Sequence, residues 1–214
     1  MADLLRLLRR GVLFELRLYR SLLRWLARRP DVPRSGAEAF GYSREVTPLL
    51  LVWIFASAIE IPFFHLLIPW HSVRVIGLVI SVWGLLWMLG FLAGFKVYPH
   101  LLSASALRVR NGPSIDICVP WEAIAGLKVG RRDLPSSART LQRRHTADGG
   151  VNLQVATSGQ VNVHAVLRSP RTVTTPRGSE EISEVSFWAD EPAALVARSR
   201  ELMAAAPGAV PLGD

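Results

Sequence analysis

The spacing of apolar positions changes twice along this chain. From Leu5 to Leu26 they recur at steps of three and four. Leu5, Leu8, Val12, Leu16, Tyr19, Leu23 and Leu26 share one narrow sector at about 100° per residue. Arg6, Arg9, Arg10, Arg17, Arg20, Arg24 and Arg28 cluster on the opposite side, while Leu4, Phe14, Leu18, Leu22 and Trp25 widen the apolar face. Residues 1–30 therefore predict a basic amphipathic helix. Arginine every few residues excludes a membrane span there. The wide apolar face against a basic face favours a helix lying in the membrane interface. The other readings are a helix packed on the protein's own parts or on a twin subunit, and an Arg-rich transit peptide. Pro30, Pro33, Ser35 and Gly36 then end the helix and predict a linker over 31–46.

Periodicity disappears in the next stretch. Residues 48–70 contain Glu60 but no Lys or Arg, and residues 75–95 contain no charge. About 20 apolar residues at 1.5 Å each cross the hydrocarbon, so 47–95 predicts a two-helix transmembrane hairpin. The tip, Pro69-Trp70-His71-Ser72, has no Lys or Arg. Arg28, Arg29, Arg34 and Arg44 precede the spans, and Lys96, Arg108 and Arg110 follow them. The positive-inside rule puts both termini in the cytoplasm and predicts a multi-pass protein of a bacterial inner membrane. No cleavable signal peptide is expected.

From residue 96 the period becomes two. Ile115, Ile117 and Val119 alternate with Asp116 and Cys118, and Val151, Leu153 and Val155 with Asn152 and Gln154. Segments 103–110, 124–129, 161–165, 171–175 and 182–188 also read as strands. Asp190 as cap and Pro192 in the first turn open a closing helix, with Leu195, Val196, Ser199 and Leu202 on its inner side. About seven short antiparallel strands and one helix predict an α+β, mainly β domain over 96–206, a small barrel or sandwich. A flexible tail is expected over 207–214.

Charge sharpens this division. The 214 residues carry 25 Lys and Arg against 17 Asp and Glu, a net +8. Residues 1–30 hold eight arginines against Asp3 and Glu15, a net +6. Residues 131–144 hold Arg131, Arg132, Arg139, Arg143 and Arg144 against Asp133, a net +4. These two patches exceed the whole net charge, so the basic character is local. Such patches suit an anionic surface. The loop 130–150 reads as polar and unpatterned. Nucleic acid is disfavoured because no recognition motif accompanies the basic residues. A mean hydropathy of +0.27 argues against disorder.

The segments YPHLLSASALRVRNG, ICVPWEAIAGLKV and EVSFWADEPAALVARSRELM resemble bacterial pleckstrin-homology-like domains. These follow a two-helix membrane hairpin in uncharacterised, actinobacterial-type membrane proteins. Arg108, Arg110, Gly112, Pro120, Trp121, Ile124, Asp190 and Pro192 carry the resemblance, which covers residues 45–205. It implies two roughly orthogonal antiparallel sheets capped by a helix, and a binding or scaffolding role. Asn111 to Ser114 lack the basic motif by which eukaryotic relatives hold inositides.

Glu60 sits about 15 Å from the hairpin tip, where a bare carboxylate is costly. Ser81 and Trp83 fall at similar depth on the second span, Arg74 lies nearer the surface, and His65 follows Pro62. The expected arrangement is a polar clamp between helices, with a proton or ligand site as the alternative. The GxxxG at Gly90 and Gly94 permits close helix approach, within the chain or in a homo-oligomer. One cysteine, Cys118, is read as a small core residue. No phosphate loop, nucleophile elbow or metal-ligand spacing is present, so no catalytic residue, metal or cofactor is expected. The expectation is a non-enzymatic membrane protein presenting a PH-like domain to a protein, a peptide or anionic lipid headgroups. Candidate contacts are Arg6, Arg10, Arg17, Arg20, Arg24, Arg28, Arg131, Arg132, Arg139, Arg143 and Arg144. The alternative is a small subunit of a transport or envelope-biogenesis complex with Glu60 as its working residue.

Overall fold

The computed structural model describes residues 2–33, 36–135, 139–146 and 148–205, without the side chains of 2–7, Arg10, Phe64 and His65. The tail expected over 207–214 lies outside them. The chain divides into two compact units, residues 1–30 with 45–97 and residues 31–44 with 98–214.

The first unit is helical: α1 (Ala2–Leu26), α2 (Val46–Leu67) and α3 (His71–Val97). Both α2 and α3 are long and apolar enough to cross a membrane. They pack antiparallel, with Ser57 Oγ 3.7 Å from Met88 Sδ, and α2 runs unbroken through Pro62. Helix α1 packs lengthwise and parallel to α3. The Phe14 ring lies 6.3 Å from that of Trp87, Leu18 sits on Gly90, and Trp25 and Arg28 share a surface hollow with Lys96 and Val97. Over this stretch α1 is thus packed on the protein's own helix.

The packed flank of α1 is Phe14, Leu18, Ser21 and Leu22, with Trp25 at its rim; all but Ser21 only widen the apolar face in the sequence. The main apolar sector stays open: Leu8, Val12, Leu16, Leu23 and Leu26 are each more than half exposed. Gly90 explains the choice of flank, since a Cβ there would lie 2.2 Å from Leu18 Cδ2 and 3.1 Å from Leu18 O. Gly90 of the GxxxG is therefore used within the chain. Helix α1 ends with Arg28 at φ +52. Its N–H bonds Trp25 O and that of Arg29 bonds Arg24 O, both at 2.9 Å, the 5→2 and 6→1 pairs of a Schellman ending.

The second unit contains two sheets. In the first, β1 (Glu38–Phe40), β2 (His100–Leu102), β3 (Ala106–Asn111) and β4 (Ile115–Pro120) pair antiparallel in that order. The second comprises β5 (Ile124–Asp133), β6 (Leu141–His145), β7 (Val151–Val155), β8 (Gln160–Thr175) and β9 (Gly178–Phe187), in the order β5-β8-β9-β7-β6. Helix α4 (Pro192–Ala205) closes the chain, with Pro192 as its first residue. One buried cluster joins both sheets and α4 through Val109, Ile117, Trp121, Val163, Phe187 and Leu195. Each such side chain contributes about 1.5–3 kcal/mol on burial.

Several expectations change. Among the described residues of 96–206 there are eight strands, not seven, and β1 joins them from the expected linker; they form no closed barrel, and β7 pairs with β9 in parallel. Segments 161–165 and 171–175 are one strand, β8, joined across an irregularity. The basic loop 130–150 contains the end of β5 and all of β6. Cys118 is exposed, because Ile115, Ile117 and Val119 take the core face and period two leaves Cys118 beside Asp116 on the other.

The largest correction is the linker. Asp31–Arg44 belongs to the second unit. Strand β1 pairs with β2 (Ala39 opposite Leu101). Tyr42 is fully buried and its hydroxyl accepts the Gly112 N–H at 2.7 Å. The Asp190 carboxylate accepts the N–H groups of Ser43 at 3.1 Å and Arg44 at 2.9 Å. Asp190, expected as the α4 cap, thus holds this segment. Arg110, 3% exposed, bonds the Asp31 carbonyl at 2.9 Å and its carboxylate, and stacks on Tyr98 at 5.3 Å.

Candidate functional site

On the five-stranded sheet, the side chains opposite the apolar core include Asn152, Gln154, His164, Glu184 and Ser186. Alternation makes such positions solvent-facing by default. Here Asn152, Gln154 and Ser186 are 1%, 2% and 0% exposed. Strand register sets His164, Ser186, Gln154 and Gln142 in one row across β8, β9, β7 and β6. Glu184, Asn152 and Arg144 form the neighbouring row.

Hydrogen bonds tie these rows together. His164 Nε2 donates to Gly130 O at 2.8 Å, and its Nδ1 lies 2.8 Å from Ser186 Oγ. Ser186 Oγ donates to Asn152 Oδ1 at 3.0 Å. The His164 hydrogen bond holds the Glu184 carboxyl below the ordinary carboxylate range; partial burial opposes this, and Ser186 and Arg132 assist it. Gln154 Nε2 is buried and has no hydrogen-bond partner among the described residues. An unmet buried donor costs about 1–3 kcal/mol, so it calls for an explanation.

The polar rows open into two hollows. One of about 210 Å³ is lined by Arg132, Arg144, His145, Thr146, Asn152 and Glu184. The other, about 530 Å³, is lined by Asp133, Leu134, Pro135, Gln142 and Gln154, with Arg143 and Arg144. Strands β5 and β6 are the outer strands of this sheet, yet both line each hollow. The sheet therefore curls until its edges face one another. A register shift between Val129 and Arg132 bends β5 at that place.

The expected contact residues separate into groups. Arg132 and Arg144 meet at the cleft. Arg143 also lines it, but its Nε donates to Glu180 at 2.6 Å; that bond holds Glu180 below its ordinary range. Arg131 bonds Gln160 Oε1 at 2.9 Å and lies over the Trp188 ring, and Arg139 is exposed. On α1, Arg17, Arg20 and Arg28 are exposed, Arg24 Nε bonds Arg29 O at 3.3 Å, and the side chains of Arg6 and Arg10 lie outside the described set.

Among the described residues, Glu60 is not clamped to the second span. Glu60 is exposed. The Ser57–Met88 contact sets it level with Leu85, about a turn from Ser81. Arg74 Nη2 lies 3.4 Å from His71 Nδ1, Ser81 is half-buried, and the His65 side chain is not described. Among the described residues no three His, Cys, Asp or Glu side chains are placed to hold a metal.

Sequence reasoning finds the arginines of this cleft and misses its floor. The available signal is that the outward positions of β7 to β9 carry Asn, Gln, His and Ser where an open face usually carries Lys and Glu. Comparison of the chain with known protein families, curated proteins and solved structures finds no match.

Proposed function

We propose that this is a membrane-anchored, non-enzymatic binding protein, with the α2–α3 hairpin in a bacterial inner membrane and a PH-like domain in the cytoplasm. The observation that carries the reading is the apolar surface of the helical unit. The span window Val46–Phe63 has none of its residues buried, and the open flank of α1 adds to it. Water disfavours so much contiguous apolar surface, and lipid covers it.

Pairing of β1 with β2 supports an even number of crossings, since the segments on either side of the hairpin meet in one sheet. The basic residues flanking both spans favour the cytoplasm for that side. The PH-like reading is supported by two sheets with a closing helix, the Gly112 turn at φ +55 and the buried Trp121. The parallel β7–β9 pair departs from the antiparallel expectation. The cleft is the natural seat for a ligand.

Alkaline carbonate washing of membranes tests the anchor. The protein should stay in the pellet and be released only by detergent; release by carbonate would overturn the reading.

One observation favours a second reading, a subunit of a transport or envelope-biogenesis complex. Glu60 is exposed on α2 and its side chain makes no hydrogen bond or ion pair to a described residue. It is available to a helix of another chain. Loss of phenotype in a normally folded Glu60→Gln variant would favour this reading.

A further inference from the structure

We propose that the cleft between β5 and β6 binds a phosphate group, held by the Arg132 and Arg144 guanidiniums and the Gln154 side-chain amide. This rests on the binding-protein reading above and names the chemistry of its ligand.

Among the described residues, the buried side-chain group left unmet in the cleft is a donor. Gln154 Nε2 is buried without a partner. Arg144 lines both hollows and Arg132 the smaller one, and neither side chain makes a hydrogen bond to a described residue. The acceptors are already served. Glu184 lies 3.3 Å from His164 Nδ1 and 3.2 Å from Ser186 Oγ, whose one proton it shares with Asn152 Oδ1, and Asp133 accepts from Gln160 at 2.6 Å. An occupant must therefore be rich in acceptors. The donors come from three strands, β5, β6 and β7, and a tetrahedral oxyanion offers oxygens in as many directions.

Formal charge in the cleft is balanced, Arg132 and Arg144 against Glu184 and Asp133, with Arg143 committed to Glu180. Recognition then rests on directed N–H groups more than on a long-range field. A single phosphate suits this balance and a polyanion does not. The phosphate could belong to a soluble ester or to a phospholipid headgroup.

The test uses the full chain in detergent with inorganic phosphate as probe. Phosphate at about 10 mM, tenfold above a Kd near 1 mM, should raise the melting temperature by a few degrees relative to chloride of equal ionic strength. Gln154→Leu should abolish that rise while leaving the phosphate-free protein as stable or more so, because it removes the unmet donor. A merely structural glutamine gives no such split. Arg144→Gln, at an exposed position, should weaken phosphate at least tenfold.

No phosphate-specific rise in the native protein, or a rise surviving both substitutions, would overturn the proposal. Nanodiscs separate the sources. A rise seen in a maltoside detergent, which holds no phosphate, but lost in phospholipid nanodiscs identifies a headgroup as occupant, and an equal rise in both identifies a soluble ester. Carbonate extraction reads the membrane anchor independently, so failure of one is distinguishable from failure of the other.

Discussion

His100 shows how one buried polar side chain can join distant strands. Its Nε2 donates to Trp188 O at 2.8 Å and its Nδ1 accepts the Arg110 N–H at 3.1 Å. The two bonds fix the neutral tautomer, since a proton on Nδ1 would face another N–H. Burial pulls its pKa down to about 4, with the Arg110 charge adding to the effect and the Trp188 carbonyl opposing it. The unfolded chain protonates this ring near 6.5, so between these values it binds more protons than the folded one. The contribution of the neutral ring is complete above pH 6.5 and falls by about 1.4 kcal/mol per pH unit, to a loss of about 3 kcal/mol near pH 4. Denaturant unfolding followed by tryptophan fluorescence at several pH values should show this slope. His100→Gln should flatten it; an unchanged slope would assign the effect to other groups.

Among elements, the α1–α3 contact is the least tolerant of added volume. Gly90→Val should force Leu18 away and lower stability by about 1–3 kcal/mol. Trypsin should then cut at the α1 arginines sooner, and Leu18→Ala in the same chain should restore much of the loss. Absence of both effects would mean that α1 does not rest on α3.

Sequence legibility also divides by element. Helices α2 and α3 are legible because length and missing charge suffice, and β4 because Ile115, Ile117 and Val119 alternate cleanly. Strand β1 is three residues long behind Pro33 and Gly36, and only Phe40 and Tyr42, two aromatics two apart, mark it. In β6 only Leu141 reaches the core, as befits an outer strand, so LQRRH reads as loop. The cleft floor is hidden for another reason. A polar face buried by a curled sheet and one open to water give the same alternation in Asn152-Leu153-Gln154-Val155. Only curvature separates them, and curvature follows from long-range pairing such as β7 with β9.

At the scale of the whole molecule, the second unit is discontinuous in sequence. Residues 98–205 alone should not fold cooperatively. Without Asp31–Arg44, β2 becomes an open edge, Arg110 loses Asp31, and the core space filled by Tyr42 is empty. Replacing 45–97 by a short Gly-Ser linker, so that 31–44 joins 98–205, should yield a cooperatively folding domain, read by circular dichroism and a sharp melting transition. Tyr42→Ala in that chain should cost about 3–5 kcal/mol. Equal folding of the two fragments would remove β1 from the cooperative unit.

This discontinuity also sets an order in time. A ribosome adds about 5–20 residues per second, so the roughly fifty residues of Glu45–Val97 separate the birth of β1 from that of β2 by about 3–10 s. For that interval β1 has no neighbouring strand, Tyr42 has no pocket, and the backbone amides of Ser43 and Arg44 still await Asp190, made later still. Closing the sheet draws together chain segments whose entire intervening length must already have been accommodated. Maturation of the domain is thus a late event that requires a completed hairpin, and a chain arrested anywhere within the apolar stretch leaves β1 without a partner strand.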